Sequence, residues 1–422
     1  MRLRKRFWGL ATFALLMTVM ACTKGDFEPI PGATLRGEPV GRQPVLQARH
    51  VLVMVSGGHN SLASYLSDDQ LDIAAGYVPE GTGAYTDALV IFSRLPKSDP
   101  NSTTSAPVLY RMYKDKNGSV VRDTLRRFTE EDRLFGGDVF REALMTVRDR
   151  LPARDYGMIV SSHASGWLPP GYYNNPQDYE NGRSGFSLRS IGQDLDNSVS
   201  VEMDLEAFAS AIPYKMNYVI LDCCLSGGIE VAWQLRGKTD LVAFTQTETM
   251  ADGFDYRTIM SRLLFEPVPN PQGVCEDFYN YYMAKRGVNR SATISLVDTR
   301  RLDKLSEVCG NLFSLYRSQI STLSDRNVQR YFRYERHYFY DLRDILVEAG
   351  ITPEETAALD AALQECVLYK AATPYFMEGT QYGFEITDYC GLSMYLPSKG
   401  TDFLNNYYRN HIAWNQATHL VL

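Results

Sequence analysis

Histidine and cysteine are scarce, at six and seven of 422 residues. No C-x-x-C pair occurs, which argues against a structural zinc site. There is no H-E-x-x-H and no G-x-S-x-G, so a zinc peptidase or a serine hydrolase of the nucleophile-elbow type has little support. The acids are scattered, with no D-x-D-x-D-G loop for calcium. A net charge of −7 and a pI near 5.5 give no basic face for nucleic acid. No internal repeat is evident, and the apolar run at the N-terminus falls short of the roughly 20 residues that a membrane-spanning helix needs.

What is present begins with that N-terminus, "MRLRKRFWGLATFALLMTVMAC". Four basic residues precede an apolar stretch from Phe7 to about Val19, as in an export signal. Val19-Met20-Ala21-Cys22 resembles a bacterial lipobox, in which Cys22 becomes the acylated first residue. An ordinary secretory signal or membrane anchor is the plainer alternative. Residues 1–21 therefore read as a lipoprotein signal. Residues 22–47, with Pro and Gly and no periodicity, read as a tether between lipid and domain. The expected destination is an exported lipoprotein at the outer membrane or cell surface.

From residue 48, short apolar runs alternate with helical periodicity. Strands are expected at 50–58, 87–95, 156–167, 216–224 and 239–248. Helices are expected between them, including most of 123–155. That alternation predicts an α/β fold with a mainly parallel sheet flanked by helices, whose ligands sit beyond the C-terminal strand ends. Residues 48–265 read as this core. Residues 266–422 read as a more helical region contributing further strands, near 291–299 and 390–398. Residues 168–200, rich in Pro, Gly, Asn and Ser, read as a long exposed loop.

Two strand ends carry chemistry. His163 lies in "IVSSHASGW" and a cysteine pair in "VILDCCLSGG". If the strands are parallel neighbours, imidazole and thiol meet at one sheet edge, where a Cys–His dyad forms. Side chains on a strand alternate, so Cys223 and Cys224 face opposite ways and do not share a role. For each residue alone, a structural histidine or an inert buried cysteine is the plainer reading. One or two disulfides are open to the six cysteines after Cys22, without an assignable pairing.

The ordered motifs His163-Ala164-Ser165-Gly166-Trp167, "RSIGQD" (189–194), Asp222-Cys223-Cys224-Leu225 with Glu230, "TETMADGFDY" (247–256) and "CGLSMYLP" resemble the clostripain family of cysteine peptidases, which shares its fold with caspases, gingipains and legumains. The lipobox fits that family's gut-bacterial branch. The resemblance implies a caspase-like fold and protein or peptide substrates. It places Cys224 as nucleophile and His163 as general acid/base, with the amides of Ala164 and Cys224 as oxyanion donors. It also implies that Asp222 lines a pocket giving preference for Arg or Lys, with Asp252 as a second wall. Helix capping and a turn beside Gly253 are the respective structural alternatives.

The family is made as a precursor that cuts itself between the His and Cys motifs, and here Arg183 and Arg189 are the candidates, unless the segment is a plain surface loop. Calcium enters as a possible cofactor through the resemblance alone. Ala164 replaces the usual Gly, Ser226 a Met, and Phe254 the Trp of some relatives. These departures keep open a second reading, a catalytically silent surface lipoprotein binding peptides or glycans in the same cleft.

Overall fold

A computed structural model describes residues 48–81, 86–95, 106–169, 171–172, 176–180, 191–196, 199–335 and 337–422. Cys22, Arg183 and Arg189 lie outside the described residues. The strands include β1 (Ala48–Gly57), β2 (Ala88–Arg94), β3 (Val108–Lys114), β4 (Val120–Arg127), β5 (Ala153–Ser161), β6 (Ile191–Asp196), β7 (Val199–Met203), β8 (Met216–Asp222), β9 (Thr239–Phe244), β10 (Thr293–Asp298), β11 (Tyr340–Asp341) and β12 (Val367–Ala372). Nine of them form one sheet in the order β12-β10-β9-β8-β5-β1-β2-β3-β4. The central five, from β9 to β2, run parallel, while the flanking strands on both sides are antiparallel.

The helices are α1 (Ala63–Ala75), α2 (Gly137–Arg150), α3 (Pro176–Glu180), α4 (Leu205–Ala211), α5 (Ile229–Gln234), α6 (Tyr256–Leu264), α7 (Pro271–Met283), α8 (Leu302–Thr322), α9 (Leu342–Glu348), α10 (Pro353–Cys366), α11 (Asp402–His411) and α12 (Ala413–Thr418). They cover both faces of the sheet. Val51, Val53 and Val55 of β1 join the larger core with α2, α4, α5 and α8, while Leu52 and Met54 join a second core with α1, α6 and α7. A strand buried on both faces reads as an unbroken apolar run, which is why β1 was legible as a central parallel strand.

The expected α/β class is what the chain adopts, with several local corrections. Residues 120–127 are a strand, not the start of a helix. The preceding Asp115 accepts hydrogen bonds from the Asn117 and Ser119 amides (2.8 and 2.9 Å), and Gly118 takes φ +80°, so the chain turns back as a hairpin. The charged residues that looked helical sit instead on an edge strand, where charge discourages further pairing. β10 and β12 extend the same sheet. In the 390–398 stretch only Ser393–Met394 pairs, against β11. Within 168–200, the described residues include β6 and β7, which pair as a hairpin, and the buried Leu168 and Tyr172, so these parts are not exposed loop.

Candidate active site

The site is built where β5 and β8 end. The two strands are parallel neighbours, with Ser161 in register with Asp222. His163 and Cys224 each lie two residues further on, and the Ser162 amide donates to the Asp222 carbonyl (3.3 Å) across the gap. Both motifs therefore leave the sheet side by side at its C-terminal edge. The turn after β8 is tied to the end of β9 through Leu225 N to Thr247 O (3.0 Å) and Gly227 N to Thr245 O (2.7 Å).

The two cysteines part as strand alternation requires. Cys223 is 1% exposed, donates its S–H to Val160 O (3.4 Å), and packs in the larger core, where burial holds its thiol well above the ordinary range. Cys224 is half-buried and donates to Thr249 O (3.8 Å). Burial, then the Glu248 carboxylate, push its thiol up to about 12, so the resting sulfur carries its proton. Ser226 donates to Cys223 O (2.8 Å) and braces this turn.

His163 is partly buried, and burial lowers its pKa. Its Nε2 lies 2.9 Å from Ser61 Oγ, a partner that sequence reasoning missed, since nothing in "GGHNSLA" marks that serine. Ala164 pairs with Ile191 as an antiparallel bridge. Trp167 is wedged edge-on against Tyr395 and Tyr408, and the Tyr408 hydroxyl in turn donates to Glu230 (2.8 Å). Glu230 also accepts from the Tyr395 amide (2.9 Å), so α11 and the chain before it brace both the His and the Cys motifs.

Asp222 is 6% exposed and accepts from Tyr256 Oη (2.7 Å), Ser161 Oγ (3.1 Å) and the Phe254 amide. Burial still lifts it to about 6. It does not cap the next helix, whose N-cap is Gly228. Asp252 lies on an exposed turn with its carboxylate 2.5 Å from Lys285 Nζ. A further acid, Asp69 of α1, was not singled out from sequence. Burial, then the Asp222 carboxylate, raise it to about 8. Phe254 packs against Phe278 in the second core (4.3 Å between centroids).

A charged pair from distant segments borders Cys224. Glu248, just after β9, meets Arg333 at 3.1 Å, and burial raises the glutamate to about 7. Its match to "TETMADGFDY" was a usable sequence signal, but nothing linked it to residue 333. All six described cysteines are free thiols, so the disulfides left open from sequence do not form. Among the described residues no three His, Cys, Asp or Glu side chains come together to hold a metal ion.

The clostripain family model matches residues 54–419. The fold is similar to that of an inactive zymogen C11 protease from Parabacteroides distasonis, with a TM-score of 0.71 and 26% identity over 89% of this chain and 99% of that one. It is also similar to a secreted C11 cysteine protease from Bacteroides thetaiotaomicron, iotapain, with a TM-score of 0.71 and 24% identity over 89% and 100% of the two chains. A secreted C11 cysteine protease of that species in complex with an irreversible peptide inhibitor matches with a TM-score of 0.71, at 22% identity over 88% and 98%. No curated protein sequence matches. With the family match running from within β1 to just past α12, over both strand-end motifs, the chain belongs to the clostripain family of cysteine peptidases.

Proposed function

We propose that the protein is a lipid-anchored endopeptidase that cleaves after Arg or Lys with a His163–Cys224 dyad. The observation that carries this reading is the Ser161–Asp222 register of two adjacent parallel strands, which sends both motifs out at one edge while Cys223 turns into the core.

In this reading His163 takes the Cys224 proton as sulfur attacks the scissile carbonyl carbon. The oxyanion that forms accepts from the Ala164 and Cys224 amides. Collapse of the tetrahedral adduct breaks the C–N bond, and His163 returns the proton to the leaving amine. Water, deprotonated by His163, then hydrolyses the thioester and restores the thiol.

Asp222 and Asp69 supply the preference for a basic side chain. In the free protein, burial keeps both well above the usual carboxylate range. A guanidinium or ammonium entering beside them favours their ionised forms and pairs with them. Asp252 is the outer wall, and a substrate cation competes there with Lys285.

The high thiol pKa fits a resting precursor. Cutting after Arg183 or Arg189 is the proposed activating step. The anchor is Cys22 and the tether residues 22–47, consistent with export. β1 starts at Ala48, and its N-terminal end lies at the end of the sheet opposite the strand ends that lead to His163 and Cys224. The silent-binder reading predicts ligand affinity that survives Cys224→Ala. Assay of the full chain and of residues 23–422 on fluorogenic peptides ending in Arg, Lys, Asp, Asn or Leu tests the peptidase reading, which fails if Cys224→Ala leaves turnover and thiol labelling unchanged.

A further inference from the structure

The loop between β1 and α1 lies against His163, and three of its residues are fixed by the segment around β6. The His59 amide donates to Asp194 Oδ1 (2.9 Å), and Asn60 Nδ2 donates to Gln193 O (2.8 Å). Gly58 takes φ +104°, and a Cβ there would stand 1.8 Å from Gln193 O, so the two backbones meet at a distance only glycine permits. Asp194 is fully buried, ion-paired with Arg94 and accepting from the Leu134 amide (2.9 Å). The same segment reaches His163 from its other side, through Gly192 N to His163 O (3.0 Å). Asn60 also turns the chain itself, accepting from the Leu62 amide through Oδ1 (2.8 Å). The residue thus held between Asn60 and Leu62 is Ser61, and its hydroxyl is the side-chain partner of His163 Nε2 at 2.9 Å.

We propose that Ser61 is a positioning residue for His163, its Oγ accepting the Nε2–H bond so that the ring is fixed in one tautomer and Nδ1 is left as the base. This rests on reading His163 and Cys224 as the dyad. A neutral imidazole has one donor and one acceptor nitrogen, and the partner of one nitrogen decides the work of the other. Ser61 is at the exposed end of the contact, so its own O–H is free to donate to water while its lone pair receives Nε2–H. When His163 takes the thiol proton, the Nε2–H···Oγ bond becomes charge-assisted and strengthens, which favours the imidazolium. Burial alone lowers the His163 pKa among the described residues, with no acidic neighbour to offset it. A neutral hydroxyl is the one polar side chain that the described structure places on the ring.

The test uses the full chain with Ser61→Ala, Ser61→Thr and Cys224→Ala. Ser61→Ala is expected to lower kcat about ten-fold, the scale of one net hydrogen bond, with KM nearly unchanged. The acid limb of the kcat/KM profile moves to lower pH, because the imidazolium has lost an acceptor, and Ser61→Thr restores both. The His163 ring titration, followed by NMR and assigned with His163→Asn, is expected to move the same way, and it needs no turnover. Unchanged kcat and titration in Ser61→Ala overturn the proposal, as does a loss that Ser61→Thr fails to restore and that follows a fall in Tm. If Cys224→Ala keeps full turnover, the dyad reading itself fails. If Cys224→Ala is dead and Ser61→Ala keeps the parent's kcat and His163 titration, only the role of Ser61 fails.

Discussion

Gly166 of the His motif stands against the carbonyl of Leu225 in the Cys motif. A Cβ at position 166 would lie 2.5 Å from that oxygen. Both residues hold positive φ, +63° and +57°, and Leu225 is a non-glycine residue in that conformation, which costs on the order of 1–3 kcal/mol. The two turns that carry His163 and Cys224 are therefore fitted to each other, with strain stored at the residue after Cys224.

Gly166→Ala tests that fit. The substitution adds a left-handed alanine and a close contact with backbone, and is expected to cost about 2 kcal/mol of stability, read by urea denaturation. Turnover should fall further than stability accounts for, because both turns shift. A variant as stable and active as the parent would show the contact to be slack.

The cysteines are expected to separate cleanly. Cys223→Ala removes a small buried group and should cost about 1 kcal/mol in stability while leaving peptide turnover nearly intact. Cys224→Ala should abolish turnover with little change in Tm. Thermal melts beside a fluorogenic assay distinguish the two.

Glu248 and Arg333 set the thiol in opposite senses. Neutralising the acid in Glu248→Gln removes a charge that raises the Cys224 pKa, so alkylation by iodoacetamide at pH 7.5 should accelerate. Arg333→Met leaves the acid without its cation and should slow alkylation. Equal rates in all three proteins would show that the pair does not act on the sulfur.

Stability should rise as pH falls from about 8 to 6.5. Glu230 and Glu248 titrate near 7 and Asp69 near 8 in the folded protein, above their unfolded values, through burial first. In this window the folded state binds protons that the unfolded state does not, so the contribution of these groups is present at lower pH and is lost as pH rises through 7 to 8. Below 6.5 the histidines oppose it, because burial lowers His50, His163 and His337. Melting curves at pH 6.5 and 8.5 check the sign, and a higher Tm at 8.5 would contradict it.

Much of the fold was legible because β1, β5, β8 and β9 are central strands, and burial on both faces writes itself as an apolar run. His163 and Cys224 followed from their places just past two such runs. β4 was not legible, because an edge strand is exposed and charged and its pattern mimics a helix surface. Nor were Asp69, Arg333 and Ser61. Asp69 looks like one acid among several on an amphipathic helix. Arg333 reaches the site from more than a hundred residues beyond Cys224. Ser61 matters through a single contact made across the sheet edge, which no local spacing encodes.

The most direct measurement of the central claim is turnover of Arg- and Lys-terminated fluorogenic peptides by the parent, Cys223→Ala, Cys224→Ala and Asp222→Asn proteins at pH 7.5. The account predicts turnover confined to basic peptides, retained in Cys223→Ala, lost in Cys224→Ala and weakened in Asp222→Asn. Turnover that persists in Cys224→Ala, or that ignores the basic side chain, would contradict it.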